Sequence, residues 1–348
     1  MPSYFRGRVW FLACLCAAAH SGVCVAAEAS NSSKAAATSR GGYAPGSFMM
    51  KSTSPAAGMV MGSKYTYDET RRFLTAHPVT SLRDDSSNAA FGLHLGSQEY
   101  SVKGTGYEVT SSGGPTVVSA KGTMVTANGL RVGANLDQGD FSYKRNLKIA
   151  GTSSSRNIRN SLQHIGFFAA AGLTPGFGAS LALTMVDVKQ GDDHETANII
   201  SPGVMVMMEK SEFVFDIGQS DKDTGIEGHW RLAMIHSLGQ GLFATGELAR
   251  MKPYEGDDYW RFAGGARLRS SSHSSMGAEF LFSQEWFKND VCFVPTTVGV
   301  RGDIDHELAA DKVVSVGGEV LQGNCTTESD RKLSKTDLFL TGSFKLFF

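Results

Sequence analysis

Lys335-Thr336-Asp337-Leu338-Phe339-Leu340-Thr341-Gly342-Ser343-Phe344-Lys345-Leu346-Phe347-Phe348 alternates with a period of two. Leu338, Leu340, Phe344, Leu346 and Phe348 share one parity, interrupted by Gly342. Asp337, Thr341, Ser343 and Lys345 take the other, with Phe339 and Phe347 as exceptions. Successive side chains of a strand point to opposite faces, so this segment carries one greasy face and one mostly polar face. The run extends to Phe348, a bulky aromatic. Terminal residues of soluble domains usually fray, so an amphipathic strand in this position calls for a sheet to join.

The same alternation recurs upstream. Trp260, Phe262, Ala266 and Leu268 oppose Arg261, Arg267 and Arg269. Met276, Ala278, Phe280 and Phe282 oppose Glu279, Ser283 and Glu285. Val298, Val300 and Ile304 oppose Arg301, Asp303 and Asp305, and Val314, Val316 and Val320 oppose Ser315 and Glu319. Leu242, Ala244 and Leu248 stand against Thr245 and Glu247. Phe213, Phe215 and Ile217 stand against Glu212 and Asp216, and Leu130, Val132, Ala134 and Leu136 against Arg131 and Asn135. One apolar and one charged face on nearly every strand is the pattern of a membrane barrel with a wet or ion-paired interior. A soluble sandwich or barrel also alternates, and the connections discriminate between the two. With Phe348 at the periplasmic side, external loops fall near 148–162, 189–199, 219–228, 251–258, 287–295 and 323–334. Periplasmic turns fall near 137–140, 173–178, 209–211, 237–241, 270–275 and 305–311. The external set is the longer one, as in outer-membrane barrels. The expected fold is all-β: a transmembrane antiparallel up-and-down β-barrel of about fourteen strands, within a range of roughly twelve to sixteen. Two of these strands are expected between Pro115 and Leu136, and a further pair within Ala89 to Thr110.

The chain opens like an export signal. Arg6 and Arg8 precede the apolar run Val9 to Ala19, and Val25-Ala26-Ala27 fits a small-residue cleavage site. Residues 1–27 therefore read as a signal peptide, too short to cross a bilayer as a helix. Acylation at Cys14, Cys16 or Cys24 is a poorer match. Residues 28–88 are Ala/Ser/Gly-rich with scattered Pro and Met. Such composition seldom builds a packed core, and the segment reads as a periplasmic tail or as a plug tucked into a pore, with a short helix at Asp68 to Ala76. Residues 89–348 form the barrel. Ile165 to Val186 is interrupted by Leu173-Thr174-Pro175-Gly176-Phe177-Gly178 and reads as a hairpin. The formal net charge is −1, which makes no case for a nucleic-acid partner.

Through the signal peptide, the alternating strands and the terminal Phe348, the chain resembles Gram-negative outer-membrane β-barrel proteins over about three-quarters of its length. The resemblance implies residence in the bacterial outer membrane, contact with outer-membrane lipid and lipopolysaccharide, and insertion by the barrel-assembly machinery. Phe344, Leu346 and Phe348 would be its assembly signal. The class often has Gly five residues before the end, where this chain has Ser343 beside Gly342. Within the class the chain is porin-like, and its plug and strand number are similar to the long-chain fatty acid transporter family. The implied function is a passive or gated pore or transporter for small solutes, not an enzyme and without a cofactor.

The candidate site residues are the charges expected to line the lumen: Glu247, Arg261, Arg267, Arg269, Glu279, Glu285, Arg301, Asp303 and Glu319. Two readings stand. Paired, they fill the interior and make a structural or surface-interaction barrel with a closed lumen. Unpaired, they line a water-filled channel, and the Arg261, Arg267, Arg269 stripe favours anions. A purely hydrophobic tunnel fits these charges less well. Cys292 and Cys325 fall in consecutive external loops, where an oxidising compartment permits a disulfide. Asp192-Asp193-His194-Glu195 reads as a solvated loop, since consecutive loop residues do not converge on one ion. Asp221-Lys222-Asp223-Thr224-Gly225 lacks the later glutamate of a calcium loop. No metal site is expected. His273-Ser274-Ser275 raises a lipid or lipopolysaccharide hydrolase as a third reading, though hydrolysis needs nucleophile, base and orienting group in one constellation. Trp230, Tyr254, Tyr259, Trp260 and Trp286 near strand ends fit interfacial aromatic girdles or ordinary packing.

Overall fold

The computed structural model describes residues 78–83, 86–174, 176–190, 193–221, 228–252, 259–271, 273–284, 297–326 and 332–348. The expected signal peptide, the helix at Asp68 to Ala76 and Cys292 lie outside them. Alternation of apolar and polar residues produces fourteen strands: β1 (Asn88–Gly104), β2 (Tyr107–Val125), β3 (Arg131–Ile149), β4 (Thr152–Thr174), β5 (Phe177–Gln190), β6 (Asp193–Met207), β7 (Ser211–Ser220), β8 (Gly228–Gly239), β9 (Leu242–Lys252), β10 (Tyr259–Arg269), β11 (Ser274–Gln284), β12 (Thr297–Ala309), β13 (Lys312–Thr326) and β14 (Lys332–Phe347). Each pairs antiparallel with its sequence neighbours, and β1 pairs with β14 from Asn88↔Phe347 to Lys103↔Lys332, closing the barrel. Closure leaves no strand edge unpaired, which is what lets a sheet sit in a medium with no water to satisfy its backbone.

The two faces separate as the alternation requires. Phe262, Phe280, Phe282, Val298, Val300, Val316, Val320, Leu338 and Leu340 are exposed on the outside, while Arg267, Glu279, Arg301, Asp303, Glu319 and Asp337 are buried on the inside. Apolar residues meet in outward rows, such as Phe280↔Val300↔Val320↔Leu338. A continuous apolar exterior costs heavily in water and nothing in lipid, so this surface is built for a membrane.

Strand lengths are uneven. β7 to β11 have 10 to 12 residues, near the span of a tilted membrane strand, whereas β1 to β4 have 17, 19, 19 and 23. The wall therefore stands higher around β1 to β4, at the end where β3 and β4 turn at Ala150 and Gly151. Both ends of the barrel, Asn88 and Phe347, lie on the opposite, short-turn side.

This height accounts for the places where the expected connections shift. Residues 148–162 and 189–199 are not external loops. β3 and β4 meet at a tight turn with positive φ at Ala150 (46°) and Gly151 (86°), and β6 begins at Asp193. Nor do residues 137–140 form a turn: they sit inside β3, and the turn lies at 126–130. The segment Ala89 to Leu136 holds β1, β2 and the start of β3 rather than two pairs of strands. Above the lipid the outward face of these strands is polar and the other mixes Arg145 and Arg156 with Leu147 and Ile158, so Lys144, Asn146, Lys148, Ser153, Ser155 and Asn157 remain in strand without the apolar outward face that marks one. The hairpin expected across Ile165 to Val186 is present as β4–β5, paired from Thr174↔Phe177 upward.

One irregularity interrupts the β1–β2 ladder. Register passes from Leu95↔Thr116 to Gln98↔Gly113 without Gly96 and Ser97. Pro115, which has no N–H to donate, lies in this gap. Gly114 permits a close backbone approach there, since a Cβ on it would come 1.9 Å from the Gly96 carbonyl oxygen.

Candidate functional site in the barrel lumen

The inward faces of β7 to β13 carry three ion-pair clusters. In the first, Arg231 and Asp216 face each other across β7–β8. Arg231 Nε donates to Asp216 Oδ1 at 2.9 Å and Nη2 to Oδ2 at 2.6 Å, a bidentate fork, with His229 Nε2 at 3.3 Å from Oδ2. Both side chains of the fork are fully buried. His229 has room because its partner in register is Gly218, where a Cβ would come within 2.1 Å of the imidazole.

The second cluster centres on Arg301, flanked in register by Glu279 on β11 and Glu319 on β13. Its Nε donates to Glu279 Oε2 at 2.8 Å, Thr245 donates to Glu279 Oε1 at 2.6 Å, and Glu247 Oε2 lies 4.0 Å from Arg301 Nη2. One guanidinium thus gathers carboxylates from β9, β11 and β13. The third cluster joins Arg267 on β10 to Asp303 and Asp305 on β12. Ser275 and Ser315 complete it: Arg267 Nε donates to Ser275 Oγ at 3.0 Å, and Ser315 donates to Asp305.

Across β14, β1 and β3 the inner wall carries hydrogen bonds among neutral side chains and two carboxylates. Tyr143 donates to Gln98 Oε1 at 2.7 Å, Gln98 Nε2 donates to Asp337 Oδ1 at 3.3 Å, and Lys335 Nζ lies 3.7 Å from Asp337 Oδ2. His164 Nδ1 stands 3.0 Å from Asp137 Oδ2 across β3–β4. Next to these groups the inward faces of β2 to β6 also carry apolar side chains. Val117, Phe141, Tyr143, Leu162, Val186 and Ile199 form one buried cluster. A smaller apolar cluster lies nearer the short-turn end, where Val79 of the 3-10 turn Pro78–Arg83 packs on Met205, Val214 and Ala233, with Leu82 and Met207 beside it. The interior therefore carries an ion-paired wall on β7 to β13 and, on β2 to β6, an apolar cluster set among the buried polar residues Asn160, His164, Ser180, Thr184 and Ser201.

Of the residues singled out in the sequence, Glu247, Arg267, Glu279, Arg301, Asp303 and Glu319 stand buried on the inner face within these clusters. Arg269 sits at the short-turn end of β10, donating from Nε to the Ser271 carbonyl at 3.3 Å. Arg261 is in β10 opposite Ser283, with its side chain outside the described residues, as are Glu285 and Cys292. The backbone of Cys325 pairs with Leu333 between β13 and β14. Phe344 and Leu346 lie half-buried in β14, and Phe348 is 76% exposed, its N–H donating to Ser87 O at 2.9 Å. His194 is held by Asp187 across the β5–β6 hairpin at 2.6 Å. Ser274 meets His306 at 2.7 Å rather than its neighbour His273.

Sequence reasoning passed over Arg231, His229, His164, Asp137, Gln98 and Tyr143 as site residues. The inner face of β8 mixes His229 and Arg231 with Ala233 and Ile235, so its parity carries no clear polar stripe. In the apolar cluster the parity is inverted: Phe141 and Leu162 face inward between the exposed Asp140, Ser142 and Gln163, so the apolar positions do not mark a lipid-facing side.

No family model matches the chain, and no curated protein matches it in sequence. Solved structures do. The monoaromatic hydrocarbon channel TodX deltaS2 mutant aligns with a TM-score of 0.67 at 11% identity, covering 86% of this chain and 99% of that one. The Pseudomonas putida toluene transporter TodX aligns with a TM-score of 0.61 at 11% identity, covering 84% and 96%. A Pseudomonas aeruginosa FadL homologue aligns with a TM-score of 0.58 at 9% identity, covering 86% and 98%. Identity this low shows the fold alone. By fold, the chain is a closed fourteen-stranded antiparallel β-barrel. Within that class, the similarity to long-chain fatty acid transporter barrels expected from the sequence holds for the architecture.

Proposed function

We propose that the protein is an outer-membrane channel that admits small hydrophobic solutes through a gated lumen. The observation that carries this reading is the apolar wall: Val117, Phe141, Leu162, Val186 and Ile199 face inward together inside an otherwise charged barrel. A water-filled ion pore has no use for such a cluster; it is packed shut, and an apolar solute that parts it meets an apolar lining where an ion does not. The opposing arginines support the same reading. Arg231, Arg267 and Arg301 are engaged with Asp216, Asp303 and Glu279 and are poorly placed to select free ions. The solved structures of similar fold include a toluene transporter and a monoaromatic hydrocarbon channel, which places aromatic hydrocarbons first among solutes to try. The docking of Val79 on the inner wall supports a plug formed by part of residues 28–88, as the gate.

Uptake of a radiolabelled monoaromatic hydrocarbon and of a small sugar into proteoliposomes tests the proposal. Hydrocarbon entry above that of protein-free vesicles is expected, and it should fall when Phe141→Asp and Val117→Asp are introduced together. Equal entry of both solutes, or no entry of either, would overturn it. The second reading, a structural barrel closed by its ion pairs, is favoured by the same Arg231–Asp216 fork. It predicts no uptake of either solute.

A further inference from the structure

We propose that the inner face of the tall wall, above the apolar cluster, is a capture site for a small aromatic carboxylate. Register lays Lys335, Tyr100, Ser111, Arg145 and Arg156 in one row across β14, β1, β2, β3 and β4. They share the inward parity of Asp337, Gln98, Tyr143 and Asn160, which are buried inside the barrel. Arg145 and Arg156 are exposed and face each other directly, so their like charges repel. A carboxylate held between the two guanidinium groups removes that repulsion and accepts from both. Ser111 points to the same ligand. It stands between Tyr100 and Arg145 in register, 4% exposed, and its hydroxyl has no hydrogen-bond partner among the described residues. A bound carboxylate oxygen would supply one. The acids of this region do not neutralise the row. Glu99, Glu108, Asp140 and Asp187 belong to the outward parity of β1, β2, β3 and β5. Asp337, the inward acid of β14, lies 3.7 Å from Lys335 Nζ and accepts from Gln98 at 3.3 Å. Asp193 and Glu195 of β6 come in register at the height of Asn160 and Leu162, four and six residues below Arg156 along β4.

The apolar neighbours select the rest of the ligand. Val102, Val109 and Leu147 form the next inward row up, and Ile158 lies in the row below, all of them half-buried. Successive inward rows are two residues, about 7 Å, apart, the span of one ring and its acid group. A ring seated on Val109 and Leu147 beside Tyr100 therefore brings its carboxylate to Arg145 and Arg156. A free phosphate leaves the apolar rows uncovered. An alkyl chain forgoes the ring contact with Tyr100, and a neutral hydrocarbon leaves both guanidinium groups unused. The site goes beyond the channel reading, because it adds recognition of an anion at the tall rim of a lumen whose deeper arginines, Arg231, Arg267 and Arg301, are engaged with carboxylates.

The test uses the full-length folded barrel in detergent, with benzoate as probe and binding read by calorimetric titration. Wild-type protein should bind benzoate at least tenfold more tightly than benzamide, its neutral counterpart, and more tightly than hexanoate or inorganic phosphate. R145Q/R156Q should lose at least tenfold in benzoate affinity while keeping the heat-modifiable mobility of a folded barrel, since both side chains are exposed. R159Q, at an exposed arginine of the outward parity on the same strand β4, should bind as wild type does. Equal wild-type affinity for benzoate and benzamide would overturn the proposal, and so would unchanged benzoate binding by a folded R145Q/R156Q. Equal affinity for hexanoate would overturn the aromatic ligand, and equal affinity for phosphate would overturn the role of the apolar rows. Binding is read here without transport, so this site and the channel reading can fail separately.

Discussion

Arg267 and Asp303 are on strands that do not touch, yet Nη1 of one lies 2.5 Å from Oδ2 of the other. The strand between them is β11, and the residue opposite both is Gly277. A Cβ at Gly277 would lie 2.9 Å from Asp303 Oδ1 and 3.0 Å from Arg267 Nη1. The missing side chain is therefore the gap through which the arginine reaches. Gly113 stands between Tyr143 and Gln98, pairing with both across β2. The inner wall is tied across alternate strands as well as neighbouring ones.

Gly277→Val should part this pair and leave the buried Asp303 carboxylate without its arginine, while Arg267 keeps Asp305. Breaking a buried ion pair by losing one partner's contact costs about 3 kcal/mol or more. The expected result is a lower temperature for the heat-modifiable band shift and a lower urea midpoint in liposomes. Gly302→Ala, where the added Cβ would meet only the Gly277 carbonyl at 3.5 Å, should stay close to wild type.

Asp216→Leu should be more damaging than the double change Asp216→Leu with Arg231→Met. The single change leaves a fully buried guanidinium without its fork, at a cost of about 3–5 kcal/mol, while the double change replaces the pair with apolar volume. Urea midpoints of the three proteins check the order. A double variant as unstable as the single one would show that the fork is needed for more than charge balance.

Val79→Asp should loosen the 3-10 turn from Met205, Val214 and Ala233. If that turn belongs to a plug, hydrocarbon uptake into proteoliposomes rises severalfold while the urea midpoint of the barrel stays within about 1 kcal/mol of wild type. Unchanged uptake at unchanged stability would reject the plug.

Phe348→Ala separates assembly from stability. The ring is 76% exposed, and the bond from its backbone N–H to Ser87 O survives the change. Folded stability should therefore move by less than about 0.5 kcal/mol. If Phe344, Leu346 and Phe348 serve as an assembly signal, the amount of heat-modifiable barrel recovered from cell membranes falls several-fold. Equal recovery would remove that role.

What the chain alone determined is local. The period-two alternation of Leu338 to Phe348, Met276 to Phe282 and Val298 to Ile304 settles that these segments are strands and which face meets lipid, because the pleat fixes side-chain direction residue by residue. Short turns such as the one between β4 and β5 were equally legible, since Pro175 and Gly176 interrupt a strand wherever it occurs. Three things waited for the tertiary structure. The height of β3 and β4 was hidden because strand above the lipid has no apolar outward face to mark it. The apolar wall at Val117, Phe141 and Leu162 was hidden because its outward neighbours Thr116, Asp140, Ser142 and Gln163 are polar, which puts the apolar residues on the inward parity instead of the lipid-facing one. The pairing of Arg267 with Asp303 depends on register across three strands and on an absent Cβ at Gly277, and neither is a property of any one segment. Direction along a strand is covalent, whereas distance between strands is decided only when the barrel closes.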